Sequence, residues 1–235
     1  MQLFITAFHR EDEKIIIFEE RVIYQLTKVL RAKKWDQIAV QWDQKRVVCE
    51  IFSLEKAKIE TKALYEEEKT VEIWGKYLAI ALPNKFEKIE LIVQKCTEIG
   101  VEHLIFFPAK HSVLKEISAS KMERLEKISL EAVEQSRWRK NLSTSFEKNI
   151  FSLCEWKNIF IAHQHGESVM WRVKNDDIKR GNKSSILMVW PEGWRHTDEE
   201  KMFENMSVEK ISFGENILRT ETAAIIWWRF VKNIL

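Results

Sequence analysis

The chain reads as an α/β protein of two domains: a small N-terminal β-barrel, residues 1–68, then a mostly parallel sheet covered by helices, residues 69–235. Three observations lead there. Up to about Leu64 the apolar residues come in short alternating runs between charged turns. From about Thr70, apolar runs of strand length alternate with helical stripes, the pattern of a parallel sheet with helices on its faces. In the last fifth, Val189–Trp194 and Phe213–Ala223 each have the form strand, sharp turn, helix start.

In the first domain, Ile15–Phe18, Gln37–Val40 and Val47–Phe52 are expected as strands. Val22–Leu30 interrupts them as a helix, with Val22, Leu26, Val29 and Leu30 on one face. The acidic run Glu66–Glu68 with Lys69 breaks the apolar pattern and is the candidate linker. Tyr77–Leu82 follows as a continuous apolar strand. Phe86, Ile89, Ile92, Val93, Cys96 and Ile99 then form a helical stripe that Gly100 stops in a C-cap position. Val101–Phe107 is a second buried strand, and Met122, Leu125, Ile128, Ala132 and Val133 mark a second helix. Ile159–Ala162, Ile186–Val189 and Ile211–Phe213 are further strands. Thr197 with Glu200 makes a capping box, and Ala223, Ile226, Trp227 and Phe230 line the final helix.

At 235 residues, with 45% hydrophobic and 31% charged residues, the chain has an ordinary globular composition and can bury a sizeable core. A net charge of +2 forces no nucleic-acid partner; an RNA enzyme of this balance has to gather its cations on one face. Cys49, Cys96 and Cys154 are scattered and odd in number, which fits a reducing cytoplasm without a disulfide framework. The N-terminus lacks a basic region followed by a long apolar one, and no apolar run approaches the ~20 residues of a bilayer span. His163 and His165 have no third ligand at metal spacing, so loop histidines are expected and no metal.

The chemistry concentrates in Arg219–Thr222, where one cation, one anion and two hydroxyls precede an apolar helix. A helix start needs one capping hydroxyl, not this density of polar groups. In an open α/β sheet, ligands bind where turns meet at the C-terminal ends of strands. Arg219 and Glu221 read either as a structural ion pair favoured by the helix dipole or as a functional pair.

Leu218–Ala223, with Gly214 before it, resembles the signature of the RsmE family, the bacterial 16S rRNA (uracil-N3)-methyltransferases of the SPOUT class. Val29–Arg31 with Asp36, Gln94–Val101 and Glu131–Ser136 resemble other family motifs in the right order, so the resemblance covers nearly the whole chain. It implies a PUA-like barrel, then a SPOUT-type α/β domain whose C-terminal segments form a trefoil knot. It also implies S-adenosylmethionine as cofactor, 16S rRNA or the small ribosomal subunit as partner, and a homodimer to which the last helix contributes. Uracil N3 must lose a proton before or during attack, so a base or a cation holding the uracil anion is required. Arg219 is then the residue that holds the uracil oxygen, and Glu221 the one that orients Arg219 or accepts the proton. The cofactor site would comprise Leu187, Val189, Trp190, Pro191, Glu192, Gly193, Phe213, Gly214, Ile217, Leu218, Thr220, Thr222 and Ala223, although the apolar ones among them read equally as core. Candidate RNA contacts are Arg10, Lys28 and Arg31 in the barrel domain and Arg137 and Arg139, flanking Trp138, although such cations read equally as solvated surface charge. His111 stands where the family often has Arg, before Ser112 and Val113.

The family reads Gly-Pro-Glu-Gly-Gly where this chain has Trp190–Trp194, and Gly where Trp35 precedes Asp36. Average glycine usage of about 7% corresponds to roughly 16 residues, against 6 here, while tryptophan reaches 10. The composition favours UGA codons that the source reads as glycine over true Gly-to-Trp divergence. A tryptophan at a position requiring positive φ is strained, so weak or absent cofactor binding by the chain as written is expected. The competing functions are a catalytically silent RNA-binding protein of the same fold and a nucleotide-binding enzyme. The sequence has no Gly-x-Gly-x-x-Gly or P-loop for the latter.

Overall fold

The computed structural model describes residues 1–42, 45–67, 76–110, 112–138, 140–149, 158–168, 185–190 and 208–232. They divide into two compact units: Met1–Glu72 with Val133–Lys140, and Ile73–Ala132 with Asn141–Leu235.

In the first unit, six strands form one curled sheet: β1 (Gln2–Ile5), β2 (Phe8–Glu11), β3 (Lys14–Ile17), β4 (Gln37–Trp42), β5 (Lys45–Leu54) and β6 (Ile59–Glu67). Their order is β1-β4-β5-β6-β3-β2. Only the β1–β4 pair is parallel, with Leu3 opposite Ala39; the others are antiparallel. Phe4, Ile15, Ile17, Ile38, Val40, Val47, Ile51 and Ile59 fill the interior, closed by Val22, Ile23 and Leu26 of the helical segment. That segment is α1 (Glu20–Tyr24), continued by a π-helical turn over Gln25–Val29. The wider turn, with Leu30 N–H bonding the Gln25 carbonyl at 2.8 Å, rotates the end of the stripe. Val29 (62% exposed) and Leu30 therefore face solvent instead of sharing the buried face with Val22 and Leu26.

The expected linker is not one at its start. Glu66 and Glu67 belong to β6, opposite Val47 and Arg46, and they are paired with Arg10 and Arg46. The sequence also leaves out that Val133–Lys140 groups with this unit. Glu134, 4% exposed, accepts both guanidinium nitrogens of Arg21 at 3.0 and 3.1 Å and the Ile5 N–H at 2.9 Å. Buried Arg46 donates to the Arg137 and Trp138 carbonyls at 2.9 and 3.2 Å, satisfying acceptors left open after a helix end.

The second unit is a six-stranded sheet, all parallel, ordered β12-β10-β11-β7-β8-β9. Its strands are β7 (Lys76–Ala81), β8 (His103–Phe107), β9 (Ser143–Phe146), β10 (Asn158–Ser168), β11 (Ser185–Val189) and β12 (Val208–Ser212). Alternate residues bury on both faces, which is why the strands read as continuous apolar runs. Leu78, Ile80, Leu104, Phe106, Leu187 and Val189 pack on one face with α2 (Phe86–Ile99) and α4 (Thr220–Lys232). Ala79, Ile105, Phe107, Ile186, Met188 and Trp190 cluster on the other. Gly100 ends α2 in the left-handed region at φ +85, with Val101 N–H bonding the Cys96 carbonyl at 2.8 Å and Gly100 N–H the Thr97 carbonyl at 3.0 Å. Leu125 of α3 (Ala119–Ser136) is fully buried. His163 and His165 lie inside β10 rather than in a loop. The Thr197–Glu200 capping box and Trp194 lie outside the described residues.

The two tryptophans that can be placed at glycine-like positions differ. Trp35 is the third residue of a turn closed by Asp36 N–H to the Lys33 carbonyl at 3.1 Å, and its φ is +81. That position of a turn favours glycine. Its ring is 62% exposed, over Lys34 Nζ at 4.6 Å. Trp190 has no positive φ, so the strain expected there is absent. Its ring is buried edge-on against Phe107 at 4.9 Å, because the strand alternation of β11 sends residue 190 to the face of Ile186 and Met188. Changing Trp35 to Gly is therefore expected to gain up to about 1 kcal/mol in denaturant unfolding, since it relieves a left-handed side-chain residue. Trp190→Gly is expected to lose about 3 kcal/mol or more, because it empties packed volume. The opposite pair of signs would remove this distinction between the positions.

Candidate active site

Because all strands of the second unit run the same way, whatever follows each strand is delivered to one edge of the sheet. After β7 come Leu82–Lys85 and α2; after β8, the segment from Pro108 to Ser118; after β11, Trp190; after β12, Phe213–Arg219 and α4. Side-chain oxygens tie several of these together. Ser112 Oγ accepts the Ala109 N–H at 3.1 Å and donates to the Leu82 carbonyl at 3.0 Å. Lys115 Nζ donates to the Ala109 and Lys110 carbonyls at 2.9 and 2.8 Å.

The decisive contact joins the two turns singled out in the sequence. Thr220 Oγ1, buried, donates to the Trp190 carbonyl at 3.1 Å across 30 positions of chain. The first helical bond of α4 runs from Ala223 N–H to the Arg219 carbonyl at 2.9 Å, so Arg219 occupies the N-cap position. Ser212 Oγ shapes the preceding turn, accepting the Gly214 N–H at 3.2 Å and donating to its carbonyl at 3.0 Å. Gly214 has φ +119, and a Cβ there would meet nothing within 4 Å, so its backbone faces open space.

Glu221 sits in the first turn of α4, with its side chain 13% exposed. Both its oxygens lie 3.4 Å from Lys88 Nζ in the first turn of α2. Arg219 is exposed beside it. An anchored carboxylate and a guanidinium two residues apart on one helix start can serve a proton and an anion respectively.

A model described as an RNA methyltransferase domain matches residues 67–232. The chain belongs to this family. It is 30% identical over 218 residues to the ribosomal RNA small subunit methyltransferase E of Bacillus subtilis, covering 86% of this chain and 84% of the relative. It is 27% identical over 232 residues to the ribosomal RNA small subunit methyltransferase E 2 of Borreliella burgdorferi, covering 94% and 92%. In fold it is similar to the crystal structure of a ribosomal RNA small subunit methyltransferase E from Neisseria gonorrhoeae bound to S-adenosyl methionine, with a TM-score of 0.80 at 20% identity, covering 100% and 98%.

The family's expected site residues fall in different environments. Thr220 and Trp190 are brought together, with Arg219, Glu221 and Gly214 around them. Ile217 is 72% exposed on the same loop, and Thr222 is half-buried. Leu187, Val189 and Ala223 are buried within the helix-covered core, with Phe213 and Leu218 packed partly against it. Pro191, Glu192 and Gly193 lie outside the described residues. The described RNA candidates all belong to the first unit. Lys28 and Arg31 are exposed. Arg10 pairs with Glu66, and Arg137 donates to the Met1 carbonyl at 2.5 Å. Arg139 and His111 lie outside the described residues. Cys49 and Cys96 are buried, and burial pushes the Cys49 thiol up to about 11 and raises that of Cys96, so neither is a reactive thiolate. Among the described residues no group of three or more His, Cys, Asp or Glu could hold a metal ion, and no helix is long and apolar enough to cross a membrane.

Sequence reasoning missed Lys88, Ser112 and Ser212. Lys88 lies off the apolar stripe of α2, a place any solvated lysine takes, and nothing local marks its partner 133 residues away. The Thr220 tie is testable. Thr220→Val removes the hydroxyl that donates to the buried Trp190 carbonyl and is expected to cost about 1–3 kcal/mol in thermal or urea unfolding, with Thr220→Ser retaining most of the stability.

Proposed function

We propose that this protein transfers the methyl group of S-adenosylmethionine to N3 of a uracil in 16S rRNA. The observation that carries the reading is the Thr220–Trp190 hydrogen bond, which joins the turns after β11 and β12 and sets Arg219 and Glu221 at their meeting point. The residues present suit the cofactor. Gly214 leaves backbone N–H and C=O groups open to a ligand, and Ile217 offers exposed apolar surface beside them. When bound, S-adenosylmethionine supplies an electrophilic methyl carbon, so the chain has to bind, orient and exclude water rather than form a covalent intermediate.

Arg219 holds the uracil oxygen as negative charge develops on the ring. Glu221 accepts the N3 proton or fixes Arg219 in place. The Trp190 carbonyl is committed to Thr220, which holds the end of β11 in a single position relative to α4. The first unit, with Lys28 and Arg31 exposed, meets the phosphate backbone of the RNA. The reading also includes a homodimer, for which exposed Ile217 and the apolar α4 are candidate contacts, a C-terminal trefoil knot, and a cytoplasmic location.

Methyl transfer to 16S rRNA from labelled S-adenosylmethionine tests the activity. Arg219→Ala and Glu221→Gln are each expected to lower kcat by roughly 100-fold or more, with cofactor affinity close to parental. Calorimetric titration of S-adenosylmethionine into the chain, and into a variant with Trp190 and Trp194 both changed to Gly, separates the site from its tryptophans. Tighter binding by the variant, in protein shown to be folded, would show that a ring crowds the loop; equal binding would show that the loop accommodates its tryptophans, as Trp190 is accommodated on Phe107. RNA affinity without cofactor binding or methyl transfer in either protein would favour the silent RNA-binding alternative and end the enzymatic one. Size-exclusion with light scattering checks the dimer, and a clean monomer counts against it.

A further inference from the structure

Lys88 stands where a helix does not favour it. It lies in the first turn of α2, where backbone N–H groups make a cation unfavourable, and its own N–H bonds back to the Lys85 carbonyl at 3.2 Å. Its ammonium is nonetheless 3.4 Å from each oxygen of Glu221. Both ends of the pair are held by the core. Ile89 and Ile92, fully buried next to Lys88 along α2, fix the roll of that helix. Ala223 and Ala224, also buried, and the Thr220–Trp190 bond fix α4. The pair is partly buried, with the Lys88 side chain 37% and the Glu221 side chain 13% exposed. Desolvation of the carboxylate offsets much of its attraction to the ammonium, so net stability alone does not explain a cation placed against the dipole. What the pair does is restrict a carboxylate. Glu221 without Lys88 has rotamer freedom in its first-turn position; with Lys88 it is held toward α2.

We propose that Lys88 is a positioning residue for the reaction and acts through Glu221. This rests on the methyltransferase reading above and deepens it. Lys88 touches neither substrate nor cofactor in this scheme; it sets the direction of the carboxylate that serves the uracil N3 proton or Arg219.

The test is a double-mutant cycle in the full chain, with Lys88→Ala, Lys88→Arg, Glu221→Gln and the double variant Lys88→Ala/Glu221→Gln. Lys88→Ala is expected to lower kcat roughly tenfold or more, as misplacing a reacting group does, while KM, calorimetric cofactor affinity and melting temperature stay near parental. Lys88→Arg is expected to recover most of the rate. The double variant should be no slower than Glu221→Gln alone, because Lys88 acts through Glu221. In the cofactor-free protein, the Glu221 and Thr222 amide resonances should move in Lys88→Ala but not in Lys95→Ala, a change at the far end of the same helix. Parental kcat in Lys88→Ala overturns the proposal and leaves the methyltransferase reading intact. Additive losses in the double variant, with a raised KM for RNA, also overturn it, since they place Lys88 on the RNA directly. Parental activity in Glu221→Gln removes the role of Glu221 and with it that of Lys88. A parent that transfers no methyl removes the reading on which the proposal rests, and the proposal falls with it.

Discussion

A sheet whose strands all run one way sends every following turn to the same edge, and the candidate site depends on that one constraint. Burial on both faces holds the arrangement. A register slip in β11 would send Leu187 and Val189 to the face of Trp190 and break two core layers at once. The edge therefore has a fixed layout before any polar group acts. Thr220 and Ser112 then tie neighbouring turns to one another, and Ser212 shapes its own turn, through carbonyl and amide groups that would otherwise need solvent. Polar residues that the sequence offers for ligand binding are in part the fasteners of the site. Thr220 is the clearest case, since its hydroxyl is buried on the Trp190 carbonyl.

The N-terminal unit solves a different problem. Its sheet is small, and its strands carry many charges, yet few buried polar groups are left to chance. Glu134 meets Arg21 in a two-pronged contact and also takes the Ile5 amide, which anchors the first strand. Arg46 reads two backbone carbonyls and Gln41 at once. Removing one partner of such a pair strands a buried charge, whereas the pair itself adds modest stability. The motif residue Glu134 is thus structural in this chain, although its neighbours in sequence belong to a stretch that resembles a family signature.

Tryptophan at glycine-like positions has two physical outcomes in one molecule. At Trp35 the backbone takes a conformation suited to glycine while the ring is left in solvent. At Trp190 the backbone is ordinary and the ring is packed against Phe107. The first supports a glycine in the cell, and the second shows that a large ring can be housed at the end of β11. The composition alone treats all ten tryptophans alike, because a count carries no dihedral angle.

Periodicity was enough to identify the long elements. The stripe from Phe86 to Ile99 with its Gly100 stop, the runs that became β7, β8 and β11, and the concentration of polar groups at Arg219–Thr222 are all local patterns, set by residues within one or two turns of each other. Short or charged strands such as β1, β6 and β9 were not legible, because their pairing comes from partners far along the chain. The acidic run at Glu66 read as a linker for the same reason: Arg10 and Arg46, which neutralise it, are distant in sequence. The π-helical turn that exposes Val29 and Leu30 departs from the period on which the reading relied. The sequence by itself determined the element types, the order of barrel and parallel sheet, and the residues rich enough in chemistry to form a site. Only the tertiary structure decided that Thr220 binds Trp190, that Lys88 meets Glu221, and that Val133–Lys140 joins the first unit, because each is a contact between residues whose separation is set by packing and not by neighbouring sequence.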